Sequence, residues 1–254
     1  LYNPSGVDLV QLEGVQVVFD GFKALDIHYF GVDRNELRVV IGPNGAGKTT
    51  MCDVISGKTK PTAGRVVFDD NDITTWKDTD IAELGVGRKF QTPSVFDSLT
   101  VFENLELALP GRRGVLRNLL RRRASAEERE AIMHQLERVG LADEAHRAGR
   151  YLSHGQRQWL EISMLMISKP KLLLVDEPAA GLTDAETART AELLNELKGQ
   201  HTIIVIEHDM DFVRMLGSRV TVLCEGKVLS DGTLDHVQAD PKVIEAYLGR
   251  GKEK

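Results

Sequence analysis

Residues 42–50 read GPNGAGKTT. They follow directly on ELRVVI, a run suited to a buried strand, and lead into TTMCDVISG, a helix-compatible stretch. No other feature restricts the fold as strongly. A strand that passes through a glycine-rich loop into a helix, satisfying GxxxxGK[ST], belongs in an α/β architecture with parallel strands. An ordinary glycine-rich turn is the alternative, and it leaves that order unexplained.

The residue types in the loop suit a phosphate. Gly42, Gly45 and Gly47 let the backbone curl so that successive N–H groups face an anion, and the helix start presents its positive dipole end to the same point. Lys48 is placed to reach β- and γ-phosphates as a point charge, and the Thr49 hydroxyl is a ligand for Mg²⁺. Pro43, Asn44, Ala46 and Thr50 complete the stretch expected to hold a nucleoside triphosphate.

Hydrolysis requires a second acidic element. KLLLVDEP, residues 171–178, is a short apolar run of buried-strand type ending in two carboxylates. On a parallel strand beside the first, Asp176 would hold Mg²⁺ through water. Glu177 would orient and deprotonate the attacking water, a role worth roughly 10²–10⁴ in rate. The alternative for Asp176 is that it caps the helix that follows. A further strand, HTIIVIEHD, carries His208 near its end, and GRKFQTPSVF carries Gln91; taken singly, neither is distinctive.

Composition excludes several classes. With 254 residues, 42% hydrophobic and 28% charged, the chain can bury the core of one large domain or of two joined subdomains. No run approaches the roughly 18 apolar residues that span a bilayer, and the N-terminus lacks a secretory pattern, so a cytoplasmic location is expected. Cys52 and Cys224 lack metal or redox spacing and read as small buried hydrophobes, and the seven histidines form no metal motif. A net charge of −6 argues against nucleic acid as the main partner.

Residues 152–156 read LSHGQ, at the head of the helix-like GQRQWLEISMLMI. Along the chain come the phosphate loop, Gln91, LSHGQ, VDEP, GLTD around Asp184, and His208. In that order they resemble an ATP-binding cassette (ABC) subunit over residues 10–248. LSHGQ is similar to the LSGGQ signature of that family, with His154 at the middle glycine. The resemblance implies an α/β ABC-type nucleotide-binding domain spanning 1–254. It would have a RecA-like phosphate-loop core with an N-terminal antiparallel β subdomain (1–91 and 168–254) and an inserted helical signature subdomain (92–167). It implies ATP and Mg²⁺ as cofactors, bound between two head-to-tail cassettes. Ser153, Gly155 and Gln156 of each would then face the γ-phosphate held by the other. By the same resemblance Gln91 links γ-phosphate and Mg²⁺ to the helical subdomain, His208 touches the γ-phosphate near Glu177, and Asp184 lines the dimer seam. Phe19 stands where an aromatic stacks on adenine, or else it is a core residue of the first sheet. His154 either approaches the partner's nucleotide or points to solvent, the second being expected. GRRGVLRNLLRRR, residues 111–123, puts six arginines in the helical part, as a solvated face or a strip near anionic lipid.

The resemblance implies the ATP-hydrolysing motor of a membrane importer. A cassette ATPase acting on DNA or ribosomes would need features the chain lacks, such as a tandem cassette or a zinc module. A small-molecule kinase needs no signature helix. The implied partners are a second cassette ATPase, two membrane permeases and, indirectly, a periplasmic solute-binding protein. The implied location is peripheral, on the inner face of the cell membrane. The ending VQADPKVIEAYLG is similar to the branched-chain amino-acid importer group. Within that group FDGFKAL, GKTKPTAGRVVF, GRKFQTPSVFDSLTVFENLELAL and LSHGQRQWLEI look most like the urea importer branch, so urea is the expected cargo, with branched-chain amino acids or short amides as the alternative.

Overall fold

The computed structural model describes residues 8–89, 95–110 and 124–248. The chain opens with two long antiparallel strands, β1 (Asp8–Phe19) and β2 (Phe22–Asp33), joined by a two-residue turn in which Asp20 and Gly21 both take positive φ. β4 (Ala63–Phe68) pairs on the other edge of β1, followed by β5 (Asn71–Asp72). The result is a four-stranded antiparallel sheet in the order β2-β1-β4-β5.

The second sheet has six strands in the order β10-β9-β3-β8-β7-β6. β3 (Leu37–Ile41), β6 (Val86–Lys89), β7 (Leu172–Asp176), β8 (Thr202–Ile206) and β9 (Arg219–Cys224) run parallel, and β10 (Lys227–Gly232) turns back antiparallel on β9. β7 and β8 read as nearly unbroken apolar runs because both faces are covered. Leu37, Val39, Leu173, Val175, Ile203 and Val205 point into one core, shared with helices. Val40, Leu172, Leu174, Ile204 and Ile206 point into a second core, shared with the antiparallel sheet.

The helices are α1 (Lys48–Ile55), α2 (Asp78–Leu84), α3 (Val101–Ala108), α4 (Ala126–Arg138), α5 (His154–Ile167), α6 (Asp184–Leu197), α7 (Met210–Leu216), α8 (Leu234–Ala239) and α9 (Pro241–Leu248). Four begin with a complete capping box: Thr100 with Glu103, Ser125 with Glu128, Ser153 with Gln156 and Thr183 with Glu186. α3, α4 and α5 pack on one another and share the first core with the sheet. Cys52 is buried in α1, where desolvation pushes its thiol up to about 12, as a small hydrophobe should be. Cys224 is only half-buried, and both cysteines are free.

Adjacent residues of β7 serve opposite cores. Leu173→Ala and Leu174→Ala are therefore each expected to lower the unfolding free energy by about 2–5 kcal/mol in urea titrations. A sheet with one solvated face would leave one of the two variants near neutral.

Candidate nucleotide-binding and catalytic site

The C-terminal ends of β3, β7 and β8 lie at one level. Val40 and Asp176 both pair with Ile206. Pairing runs one step beyond the strands, with the Glu207 N–H donating to the Val40 carbonyl at 3.1 Å and the Glu177 N–H to the Ile206 carbonyl at 2.9 Å. The phosphate loop, Asp176–Glu177 and Glu207–His208 thus open on the same sheet edge, the edge at which α/β sheets bind ligands.

Two glycines fix the path of the loop. At Gly42, with φ +157°, a Cβ would meet the Leu223 carbonyl oxygen at 2.2 Å; at Gly47, with φ +99°, it would meet the Ala24 carbonyl oxygen at 2.7 Å. The Gly226 N–H pins the loop from the β9–β10 turn by donating to Ala46 O at 3.0 Å. The first turn of α1 carries no acidic residue, so nothing in it neutralises the helix end that faces the loop. Lys48 is buried and folds back over the loop, its Nζ donating to Gly42 O at 2.6 Å and to Pro43 O at 3.1 Å. Burial lowers the pKa of this ammonium below the usual lysine value, and the carboxylates of Glu177, Asp176 and Glu207 oppose that shift. Thr49 is exposed at the head of α1.

Asp176 is 4% exposed. Burial first, then the adjacent Glu177, raise its pKa above the ordinary carboxylate value, against Arg88, Lys89 and Lys48. Its Oδ1 has no hydrogen-bond partner among the described residues. The next helix, α6, is capped by Thr183, so Asp176 caps nothing. Glu177 sits at φ +48°, a left-handed conformation that costs a non-glycine residue on the order of 1–3 kcal/mol. It is held there by its N–H bond to Ile206 O and by the Ala180 N–H, which donates to its carbonyl at 3.2 Å. Glu177 Oε1 lies 3.5 Å from Nδ1 of the exposed His208.

Glu207 escaped the sequence reading. It is buried, and its Oε2 accepts from the His208 N–H at 2.8 Å and the Asp209 N–H at 3.1 Å, while Oε1 accepts from the Ala179 N–H at 3.0 Å. This carboxylate ties the His208 segment to the turn after Glu177. Its one signal was a charged residue closing the apolar run TIIVI.

Ser153 caps α5, its Oγ accepting from the Gln156 N–H at 3.1 Å while Gln156 Oε1 accepts from the Ser153 N–H at 2.9 Å. Gln156 therefore supports the helix head through its side chain. Asp184 is the first residue of α6 and is exposed. His154 is exposed, as expected, and its Nε2 lies 3.2 Å from the Ala180 carbonyl oxygen, across the loop that follows Glu177. Phe19 is 49% exposed beside its cross-strand neighbour Phe22 at 67%, so the core alternative for Phe19 does not hold. Gln91 and the arginine-rich segment 111–123 lie outside the described residues.

The donor set fits a hard divalent cation. It combines a buried carboxylate oxygen lacking a protein partner with a hydroxyl at the head of α1, which matches the habit of Mg²⁺ of binding through one or two protein oxygens plus substrate and water. No group of three or more His, Cys, Asp or Glu side chains forms a closed metal cage among the described residues.

The fold and this edge define a phosphate-loop ATPase. The model of the ABC transporter family matches residues 25–180, and that of the branched-chain amino acid ATP-binding cassette transporter matches residues 227–253. The high-affinity branched-chain amino acid transport ATP-binding protein LivG of Escherichia coli K12 is 37% identical over 249 residues, covering 95% of this chain and 98% of its own. The ADP conformation of MJ1267, an ATP-binding cassette of an ABC transporter, superposes with a TM-score of 0.82 at 32% identity, over 95% of this chain and 99% of that one. The dimeric structure of MJ0796, a bacterial ABC transporter cassette, matches with a TM-score of 0.75 at 26% identity, over 89% and 98%. The chain belongs to the ABC transporter ATP-binding family. It is an ATPase of the cassette fold, with ATP and Mg²⁺ as cofactors. Among the described residues, no helix is long and apolar enough to cross a membrane.

Two outcomes follow from this geometry. Glu177→Gln keeps the side-chain shape and removes the carboxylate expected to act as base, so hydrolysis is expected to slow at least about 10²-fold with Mg·ATP binding retained, as read by phosphate release and nucleotide binding. Because the folded pKa of Asp176 is raised, its own contribution to the stability of the nucleotide-free protein is greatest below the ordinary carboxylate pKa and is lost as pH rises through the folded value. Asp176→Asn removes that loss. At pH 7 it should unfold at higher urea than wild type without nucleotide and gain less from Mg·ATP.

Proposed function

We propose that this importer ATPase drives uptake of branched-chain amino acids, hydrolysing ATP between two paired cassettes. The chemical core of the reading is the meeting of Lys48, Asp176, Glu177 and His208 at the ends of three adjacent parallel strands. ATP binding exchanges the two carbonyl contacts of Lys48 for the β- and γ-phosphates, a charge-assisted pairing. Thr49 and Asp176 hold Mg²⁺, with Gln91 as a further ligand, and the ion when bound neutralises phosphate charge. Glu177 takes the proton of the attacking water, and His208 beside it contacts the terminal phosphate. Phe19 stacks on the base. Ser153 and Gly155 of each chain serve the nucleotide held by the other, and the MJ0796 dimer supports such pairing. Residues 92–167 move as a helical unit against 1–91 and 168–254, pushing on two permease subunits on the inner face of the membrane. A second cassette ATPase and a periplasmic solute-binding protein complete the assembly.

The cargo reading rests on the near full-length similarity to LivG and on the match of residues 227–253. Urea is the second reading, favoured by the segments FDGFKAL, GKTKPTAGRVVF, GRKFQTPSVFDSLTVFENLELAL and LSHGQRQWLEI alone. Deleting the gene is expected to abolish uptake of labelled leucine or valine at low micromolar concentration, and the Lys48→Ala form should not restore it. Normal leucine and valine uptake with loss of urea uptake would transfer the assignment to urea. Loss of neither would sink the importer reading for these solutes.

A further inference from the structure

The head of α5 is docked on its own chain. Ser153 Oγ donates to Glu186 Oε1 at 3.1 Å, and the Gly155 N–H donates to the same carboxylate. A Cβ at position 155 would stand 2.5 Å from that oxygen, so the approach depends on glycine. The other oxygen, Oε2, accepts from the Thr183 N–H at 3.1 Å and from Thr183 Oγ1 at 3.0 Å, which is the cap of α6. His154 Nε2, 3.2 Å from Ala180 O, adds a third tie between residues 153–155 and the loop 180–186. Hydrogen bonds from the Thr183 backbone first, then from the Thr183 and Ser153 hydroxyls and the Gly155 N–H, hold the Glu186 carboxyl below the usual range, so it is an anion at neutral pH.

We propose that Glu186 is an internal stand-in for phosphate: it occupies the donors at the head of α5 that the terminal phosphate on a second cassette needs, and it must turn away before two cassettes close on ATP. The inference rests on the paired-cassette reading above. A hydroxyl has one proton and an amide N–H one hydrogen, so Ser153 and Gly155 cannot serve both anions fully. Two anions at that spacing also repel, most strongly where closure excludes water. The bonds of Oε2 to Thr183 let the carboxylate swing aside with the cap of α6 intact. Glu186 is thus a positioning residue that makes closure conditional on a competing phosphate.

Glu186→Gln separates this role from simple support, because glutamine keeps a capping box and a neutral acceptor while losing the charge. Full-length Glu177→Gln protein and the Glu177→Gln/Glu186→Gln form are titrated with Mg·ATP, and dimer formation is followed by sedimentation velocity. Competition predicts that the ATP concentration at half-dimerisation falls by about fivefold or more in the double variant, with the gap narrowing at high salt. A support role predicts the opposite sign, and an unchanged or raised midpoint overturns the proposal. Should the double variant not fold, His154→Gly in the same background loosens the docking from the other side and carries the test with the same signs. If Glu177→Gln alone stays monomeric at saturating Mg·ATP, self-pairing of this chain fails and the inference falls with it.

Discussion

The common register of β3, β8 and β7 is the constraint on which the rest of the molecule depends. Because Val40, Ile206 and Asp176 are laid side by side by parallel pairing, three loops that are far apart in sequence leave the sheet at one level. A slip of one residue would exchange the two faces of a strand and carry Asp176 from its inward position to the other core. Both faces are apolar and filled, so each residue of these strands resists that slip. The precision of the edge is thus inherited from packing on both sides of the sheet.

That edge is held against the preferences of its own residues. Lys48 and Asp176 are buried ionisable groups whose pKa values are displaced toward the neutral forms, and Glu177 keeps a left-handed backbone that most side chains avoid. On the proposed reading an anion would relieve the ammonium of Lys48 and a metal ion the orphan oxygen of Asp176. Glu207 shows the contrast. It is just as buried, yet three backbone N–H groups satisfy it, and it serves as a strut between the two catalytic segments. Satisfied and unsatisfied carboxylates at one edge thereby divide into structural and reactive groups.

What was legible in the sequence followed from short-range order. The strand-loop-helix around GPNGAGKTT and the apolar run ending in Asp176 and Glu177 announced themselves, because glycine, lysine and paired carboxylates at strand ends have few other uses. Less visible was whatever depends on contacts between distant segments. The struts of Glu207 reach Ala179, and the ring of His154 meets Ala180, and neither contact leaves a periodicity or spacing in the chain. Phe19 was ambiguous for the same reason. Its burial depends on where a tight turn at Asp20 and Gly21 ends the hairpin, and with Phe22 opposite it the ring is left outside the core.

The heads of α1 and α5 are treated differently. The first turns of α1 and of α5 both lack acidic residues, so neither dipole end is neutralised from within its own helix. At α1 the ammonium of Lys48 is turned back on loop carbonyls and adds to the attraction for phosphate. At α5 the donors are already engaged by a carboxylate brought from α6. One head is therefore primed for the nucleotide of its own chain, and the other is satisfied until something displaces its occupant. If both heads contact phosphate as proposed, ATP is captured first and hydrolysis is committed second, because the second contact has to be won from the protein itself.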